Sequence, residues 1–451
     1  MGSLANAVMT VAMGLLLAAL SSLGNAKDMA SDCRVGTYHL HDGSDVLISS
    51  SMEDSQLDWQ RWDGTMGELT RNADGSWSST LGWTSRPDGK RVSFSDCAKG
   101  EIVFNGIKGK RIPLIVTNTR FRGTDANLAG RLVMPVGGAR VPIVVLVHGA
   151  ENTSALKYLQ FLALFPSHGI GTFVYDKRGT GESGGNFSAD YELLAKDAVA
   201  AMREARRLAG ARANRVGYWG GSQGGWVAPL AATQAPVDFV ITSHGLAVSP
   251  VEEDRESITL DMTRRGYGPD IVAKAMEISD ATAGIIASGF KDGYERIDAL
   301  RTKYGAEPWF KYVHGDISFV ILDMPHAQAR ELGSKFAVGI RPFYDSMPVL
   351  RELKTPQLWI LGQDDLDAPS AETLRRLKAL AQDGHPITFA VFPHAQHAIY
   401  EYEETPMPEA KRTNTRHPDG YFSIMHDFII QGRLESHYGS SVLGGVDISA
   451  Q

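Results

Sequence analysis

The segment Trp219-Gly220-Gly221-Ser222-Gln223-Gly224-Gly225 stands directly after the apolar stretch Arg215-Val216-Gly217-Tyr218 and directly before a helix-like run. A strand that turns into a helix within a few residues forces its middle residue into strained backbone geometry. Only small neighbours let the chain bend that sharply. The strain lifts the Ser222 hydroxyl to where a histidine can reach it, and turns the next backbone N–H toward a developing oxyanion. The segment reads as a nucleophile elbow, and it constrains the fold to a sheet that carries the serine at a strand end. The same Gly-x-Ser-x-Gly spacing recurs at Gly181-Glu182-Ser183-Gly184-Gly185, unsurprising in a chain with 47 glycines. Ser183 lies several residues past the strand-like Thr172-Phe173-Val174-Tyr175, and Gly184-Gly185-Asn186 follows in place of a helix. Ser183 is set aside as a nucleophile.

The surrounding pattern supplies such a sheet. Val141 to Val147 is a continuous apolar, β-branched run of the kind a strand covered on both faces requires. Tyr191 to Ala209 places Leu194, Ala198, Ala201, Met202 and Ala205 at helical spacing. Strand-like Asp238 to Thr242, Gln357 to Leu361 and Thr388 to Phe392 continue the alternation, which predicts a mostly parallel, doubly covered α/β sheet. Residues 246–350 interrupt it with helix-like mixtures and no buried strand, an inserted helical cap whose Phe290, Trp309, Phe310, Phe319, Ile321, Phe343 and Tyr344 either wall a pocket or fill the cap. A helix near Tyr421 to Ile430 closes the domain, and the tail from Ser440 reads as loose.

The N-terminal part is different. Strand-like segments broken by Asp42-Gly43, Asp63-Gly64, Asp74-Gly75 and Asp88-Gly89 signal hairpins and an all-β module. Its Trp59, Trp62, Trp77 and Trp83 either form a stacking platform for a flat ligand or, as is commoner, fill a small sheet's core. Ahead of it, Ala5 to Leu20 is apolar but short for a membrane span, and Gly24 and Ala26 offer a cleavage site before Lys27. This reads as a secretory signal peptide that leaves no stable membrane anchor after processing, against the alternative of an uncleaved anchor, and it places the protein in the periplasm or outside the cell. The two cysteines, Cys33 and Cys97, lie beyond the cleavage site and are expected to pair in an oxidising compartment. Closing that loop would stabilise by roughly 4 kcal/mol in the chain-entropy model. The division is 1–26 signal peptide, 27–111 β-rich module, 112–245 first half of the α/β core, 246–350 cap and 351–451 second half. A net charge of −7 with no basic stripe argues against nucleic acid as a partner.

Acyl transfer by serine needs a base, an orienting carboxylate and an oxyanion hole at strand ends facing the elbow. Gly362-Gln363-Asp364-Asp365-Leu366-Asp367-Ala368-Pro369 follows one buried-looking strand, and Pro393-His394-Ala395-Gln396-His397 follows the next. The order serine, acid, histidine is the one this chemistry uses on such a sheet. Over roughly residues 112–432 the chain resembles α/β-hydrolases, especially the esterase and prolyl-oligopeptidase-like branch. The resemblance rests on Val147-His148-Gly149, Asp176 to Ser183, Gly220 to Gly225, Gly362-Gln363-Asp364-Asp365 with Pro369, and His397. It implies Ser222 as nucleophile, His397 as base and Asp365 as acid, with Asp364 and Asp367 as alternatives. The oxyanion hole it implies is the N–H of Gln223 with that of Ala150. His394 then reads as a surface or supporting residue, and His148 as a structural one. Arg178 reads as bracing the site more than as clamping a substrate carboxylate. Glu151, beside the oxyanion loop, either sets a substrate charge preference or faces solvent.

No phosphate loop or dinucleotide fingerprint appears, and His394-x-x-His397 sits on a loop whose second histidine is already engaged, so neither cofactor nor metal is implied. The expectation is a secreted serine hydrolase cleaving small carboxylic esters through an acyl-enzyme. A peptidase or amidase, or an acyltransferase, would use the same triad; a non-catalytic binding protein on this scaffold is the remaining alternative.

Overall fold

In the computed structural model, residues 32–446 are described, apart from 54, 97, 159 and 160. The 1–26 segment and Cys97, and with it the Cys33–Cys97 pairing, lie outside the described residues.

Eight short strands open the structure: β1 (Gly36–Leu40), β2 (Asp45–Ser50), β3 (Gln56–Arg61), β4 (Met66–Arg71), β5 (Trp77–Thr80), β6 (Pro87–Ser93), β7 (Glu101–Phe104) and β8 (Ile107–Arg111). Each pairs antiparallel with the next, and β8 closes on β1 through Tyr38↔Arg111, so the module is a closed barrel. Closure matters because short strands with Asp-Gly turns would otherwise leave unpaired edges. Trp59 and Trp77 lie in its core with Tyr38, Leu57, Leu69 and Phe104. Trp59 meets Phe104 edge-on at 5.0 Å and donates from Nε1 to Ser79 Oγ at 2.8 Å. Trp62 and Trp83 are half-buried against the second domain, Trp62 stacked on His168 with centroids 3.7 Å apart and Trp83 5.0 Å from Tyr400. The four tryptophans therefore serve packing, and the platform alternative falls.

The second sheet runs β9 (Leu114–Arg122), β10 (Asn127–Pro135), β11 (Val141–Val147), β12 (Gly171–Tyr175), β13 (Ala213–Gly221), β14 (Val240–Ser243), β15 (Gln357–Gly362), β16 (Ile387–Phe392) and β20 (Val442–Gly445). Its spatial order is β20-β16-β15-β14-β13-β11-β12-β10-β9, parallel from β16 to β12 and antiparallel at both margins. Along β11 the pleat divides two cores. Ile143, Val145 and Val147 face one cluster, with helices α3 (Tyr191–Ala209) and α4 (Gly224–Gln234). Val144 and Leu146 face the other, with α12 (Tyr421–Gln431) and with Leu164 and Phe165 from the helical stretch after β11 (α1, Ala155–Tyr158; α2, Phe161–Ser167). Every residue of β11 is buried, as a strand covered on both faces must be. α3 starts where Asp190 accepts from the N–H groups of Glu192 and Leu193, and ends at Gly210 with φ 54°.

Between β14 and β15 the chain builds α5 (Pro250–Arg264), α6 (Pro269–Ala287), α7 (Tyr294–Tyr304), α8 (Ser318–Leu322) and α9 (His326–Phe336) around a core of their own, and then α10 (Met347–Glu352), whose Leu350 packs with Trp359 and Leu361 of the sheet domain. α5 opens with a reciprocal Ser249–Glu252 capping box and Pro250 in its first turn. After β15 come α11 (Ala371–Gln382), β16, and a small three-stranded arm, β17 (Ala395–Gln396), β18 (Tyr400–Glu404) and β19 (Arg412–Arg416). Among the described residues no helix is long and apolar enough to cross a membrane.

The tail expectation is corrected. From Val442 the chain pairs with β16, Thr388↔Gly445 to Val391↔Val442, and Thr388 Oγ1 donates to Val446 O at 2.9 Å. The strand carries two glycines because a Cβ at Gly444 would stand 2.5 Å from the Phe389 ring, which is why no strand pattern shows in its sequence.

Arg178, at the end of β12, lies buried with its Nε and Nη2 on the two oxygens of Asp197 (2.8 and 2.9 Å) and Nη2 on Thr124 O (2.6 Å). It braces α3 to the loop after β12. Ser183 is likewise structural, donating to Asp176 O at 2.7 Å and accepting from Ala129 N at 2.9 Å. Removing the guanidinium leaves the Asp197 carboxylate buried and short of its partner, so Arg178→Met is expected to lower stability by about 3–5 kcal/mol. Urea unfolding checks this; a change under about 1 kcal/mol would return Arg178 to the pool of substrate contacts.

Candidate active site

β11 sits between β12 and β13, so the chain leaves β11 in one direction along the sheet and returns in the other. Loops at such a switch point diverge and open a crevice at the carboxyl ends of the strands. The His148-Gly149-Ala150 loop and the elbow occupy that crevice. Ser222 has φ 51°, a left-handed conformation that a non-glycine residue adopts rarely and at some cost. The glycines around it are required by close approach. A Cβ on Gly220 would lie 2.2 Å from Gly224 O, and one on Gly224 would lie 2.1 Å from Val147 O. Ser222 N donates to Ser243 O at 3.2 Å, and Gly225 N to Ser222 O at 2.7 Å, which fixes the turn. Ala150, Ser222 and Gln223 line one cavity of about 120 Å³. Among the described residues neither the Gln223 nor the Ala150 N–H has a protein acceptor.

Asp365 follows β15 and is 1% exposed. Its Oδ1 accepts from the N–H groups of Asp367 (3.0 Å) and Ala368 (2.8 Å), and its Oδ2 from His397 Nδ1 at 2.9 Å. Asp364 points elsewhere, accepting from the Tyr402 hydroxyl at 3.0 Å, and His394 is exposed 3.6 Å from Asp364. Asp367 is close without replacing Asp365: a carboxylate oxygen of each aspartate and a ring nitrogen of His397 lie within 4.8 Å of one another. Burial alone would lower the His397 pKa. The Asp365 carboxylate, with Asp367 and Asp316 behind it, outweighs that and raises it to about 9.

No hydrogen bond joins Ser222 to His397 among the described residues; Asp365 and His397 are engaged with each other, and Ser222 is engaged with neither. In empty sites such contacts are often long and tighten on substrate. Beside the pair lies a residue that the sequence reading missed, His244, with φ 44° and its ring 4.8 Å from that of His397. Its N–H donates to Ile360 O at 2.8 Å, and its Nδ1 meets Ser243 Oγ at 3.1 Å. Burial, and then the neighbouring His397 charge, hold its pKa well below the usual histidine value, so it stays neutral. A lone histidine after a strand gave no signal.

The cap roofs the cavity with apolar side chains, among them Ile286, Phe290, Ile317, Ile321 and Met324, while Phe187, Tyr191 and Trp226 come from the sheet domain. Of the cap residues singled out from sequence, Phe290 and Ile321 reach it. Trp309 and Phe310 pack the cap's own core, and Phe343 is 64% exposed. Two carboxyls also line it, Glu253 and Asp316. Burial, then Asp316 and the acid loop, push Glu253 well above the usual carboxyl range; burial, then Asp367 and Asp254, push Asp316 to about 7. Their neighbour Asp254 is a brace instead, accepting from Ile317 N (2.9 Å) and from Ser318 N and Oγ (both 2.7 Å). Sequence reading missed both pocket acids because acidic residues on a helical insertion normally face water.

His148 is buried, with Nδ1 3.4 Å from the half-exposed Glu151 carboxylate. Lys177, buried, donates to Gly149 O and so ties the oxyanion loop to the end of β12. Burial lowers its pKa to about 8 against the pull of Glu151.

Residues 139–250 match the family model described as serine aminopeptidase, S33. The quorum-quenching protein AidA of Acinetobacter baumannii is 29% identical over 151 residues, covering 31% of this chain and 50% of its own length. The chain thus spans half the length of that curated relative. Among solved structures, an esterase of Pyrococcus furiosus is similar at 16% identity, covering 63% of this chain and 84% of its own, with a TM-score of 0.41. An acylaminoacyl peptidase of Pyrococcus horikoshii is similar at 14% identity, covering 89% of this chain and 57% of its own, with a TM-score of 0.43. The family match spans Ser222 and the His148-Gly149-Ala150 loop, and the sheet order around them is that of an α/β-hydrolase fold.

Proposed function

We propose that this protein is an exported carboxylesterase that works through an acyl-enzyme on Ser222. The observation that carries the reading is the left-handed Ser222, flanked by two unoccupied N–H donors, opening into an apolar cavity at the sheet edge that also bears a buried His397–Asp365 pair. His397 takes the serine proton as Ser222 attacks the ester carbonyl, and returns it to the leaving alcohol. Asp365 holds the imidazole's orientation and stabilises its charged form. The N–H groups of Gln223 and Ala150 take up the oxyanion charge. The apolar walls suit an aliphatic or aromatic acyl group, and the N-terminal apolar segment supports export.

One observation favours a second reading, hydrolysis of aminoacyl esters or amides: Glu253 and Asp316 line the cavity of Ser222. Both are held above the usual carboxyl range, and an ammonium group bound beside them would favour their carboxylate forms, the protons leaving to solvent.

Ser222→Ala is expected to abolish turnover of p-nitrophenyl esters while leaving thermal unfolding unchanged; undiminished turnover would dispose of the mechanism. Failure of the native serine to react with a fluorophosphonate would favour the binding-protein alternative.

His397 acts as a base only when neutral, so kcat/KM should climb with pH until about 9. Asp365→Asn removes the attraction that raises the value, so the rising limb should move to lower pH while the plateau falls on the order of 10³-fold. Asp364→Asn and Asp367→Asn should cost far less. The sign for stability is the same: a raised histidine pKa stabilises fully below its unfolded value near 6.5, and that gain is lost as pH passes about 9.

A panel of esters of graded chain length beside aminoacyl p-nitroanilides separates the two readings. Under the ester reading Glu253→Gln changes little; under the aminoacyl reading it raises KM for amine-bearing substrates alone, roughly tenfold or more.

A further inference from the structure

The segment that carries His397 is strained and is not self-supporting. Ala398 and Ile399, the two residues after it, both lie at positive φ, 58° and 60°, and Ile399 is β-branched. Such conformations persist only where the surroundings over-determine them. The restraint comes from the β18–β19 arm. His417 donates from Nδ1 to Ile399 O at 2.9 Å, its ring stacked between Tyr400 (4.1 Å) and Tyr421 (4.8 Å). Gln396, immediately before His397, donates to Asn414 Oδ1. The same arm holds the acid loop, with the Tyr402 hydroxyl on Asp364 Oδ2 at 3.0 Å and Arg412 on Asp364 O at 2.5 Å.

The arm is in turn gripped by the barrel. His417 N donates to Gly64 O at 3.0 Å, and Trp83 N to Asn414 O at 2.9 Å. Arg416 donates to Asp63 O at 2.5 Å, and the Trp83 ring rests on Tyr400. The approach is as close as backbones permit. A Cβ on Gly64 would stand 2.2 Å from His417 O, and one on Gly82 would stand 2.4 Å from Asn414 O. Among the described residues, none from the barrel lines the Ser222 cavity.

We propose that the barrel is a positioning module for catalysis: it clamps the β18–β19 arm, and through Asn414 and His417 it holds His397 in register with Ser222 and Asp365. This inference rests on the proposed Ser222 mechanism and assigns the barrel no contact with substrate. Gly64, Gly82 and Trp83 are its positioning residues.

The test exploits two glycines at similar positive φ but in different surroundings: Gly64 at 88° against the arm, and Gly75 at 83° with nothing within 4 Å of a built Cβ. Gly64→Ala and Gly75→Ala impose similar backbone strain on the barrel, but only the first pushes the arm. On p-nitrophenyl butyrate, Gly64→Ala and Gly82→Ala are expected to lower kcat ~10- to 100-fold with KM within about twofold, since small misplacements of a catalytic group carry penalties of that size. The rising pH limb should shift as the His397–Asp365 contact loosens. Gly75→Ala should match the native enzyme in both. Where Gly64→Ala does not fold, Trp83→Leu, which keeps the backbone bond to Asn414 and removes the ring from Tyr400, is expected to lower kcat severalfold at unchanged KM. Native kcat and pH profile in folded Gly64→Ala or in Trp83→Leu, or an equal loss in Gly75→Ala, overturns the clamp. If the native protein hydrolyses no ester, it is the proposed function that fails; if it does so through Ser222 and these variants behave normally, only the clamp fails.

Discussion

Ser222 at φ 51°, wedged between glycines whose missing side chains let Gly220 approach Gly224 and Gly224 approach Val147, is the constraint around which the rest is arranged. A serine in that conformation is stable only if strand, turn and helix are all fixed from outside. β13 is therefore placed centrally, with β11 and β14 on its two sides and α4 packed behind it. The crevice is a consequence of the same placement, because the chain reverses its winding direction at β11 and the loops there part. The site is thus a property of the sheet's order more than of any loop's sequence.

Charge in the site follows one rule. Groups with a satisfied partner stay ionised, and groups without one are pushed toward neutrality by burial. His397, bonded to Asp365, belongs to the first kind, its pKa raised to about 9. Glu253, Asp316 and His244 belong to the second. The result is a His397 made more basic by its carboxylate neighbours, amid Glu253, Asp316 and His244 that burial shifts toward their uncharged forms. The cap does more than exclude water: it brings two titratable groups to a wall that is otherwise apolar.

Much was legible in the sequence where chemistry and local geometry share the same few residues. The elbow needs small residues at fixed spacing, the buried strands need apolar runs, and the acid and base must follow consecutive strands. The family spacing singles out Asp365 over Asp364, and in the structure Asp364 turns to Tyr402 and Asp365 to His397. The readings that failed lacked a local signature. The strand over Val442–Gly445 is nearly all contact and no pattern, with two glycines lying against Phe389 and Ile387. The barrel tryptophans look alike in sequence, yet two fill a core and two join domains.

The sequence by itself determined the α/β sheet, the tight turn at Ser222, the placement of Asp365 and His397 after β15 and β16, and the all-β character of the N-terminal module. Those features are written in spacings of a few residues. The tertiary structure alone decided that the module closes into a barrel and seats on the arm after His397, that His244 stands beside that histidine, and that Glu253 and Asp316 face inward. Each of these depends on which surfaces meet across hundreds of residues, and burial, the quantity that sets their chemistry, exists only once the chain is folded.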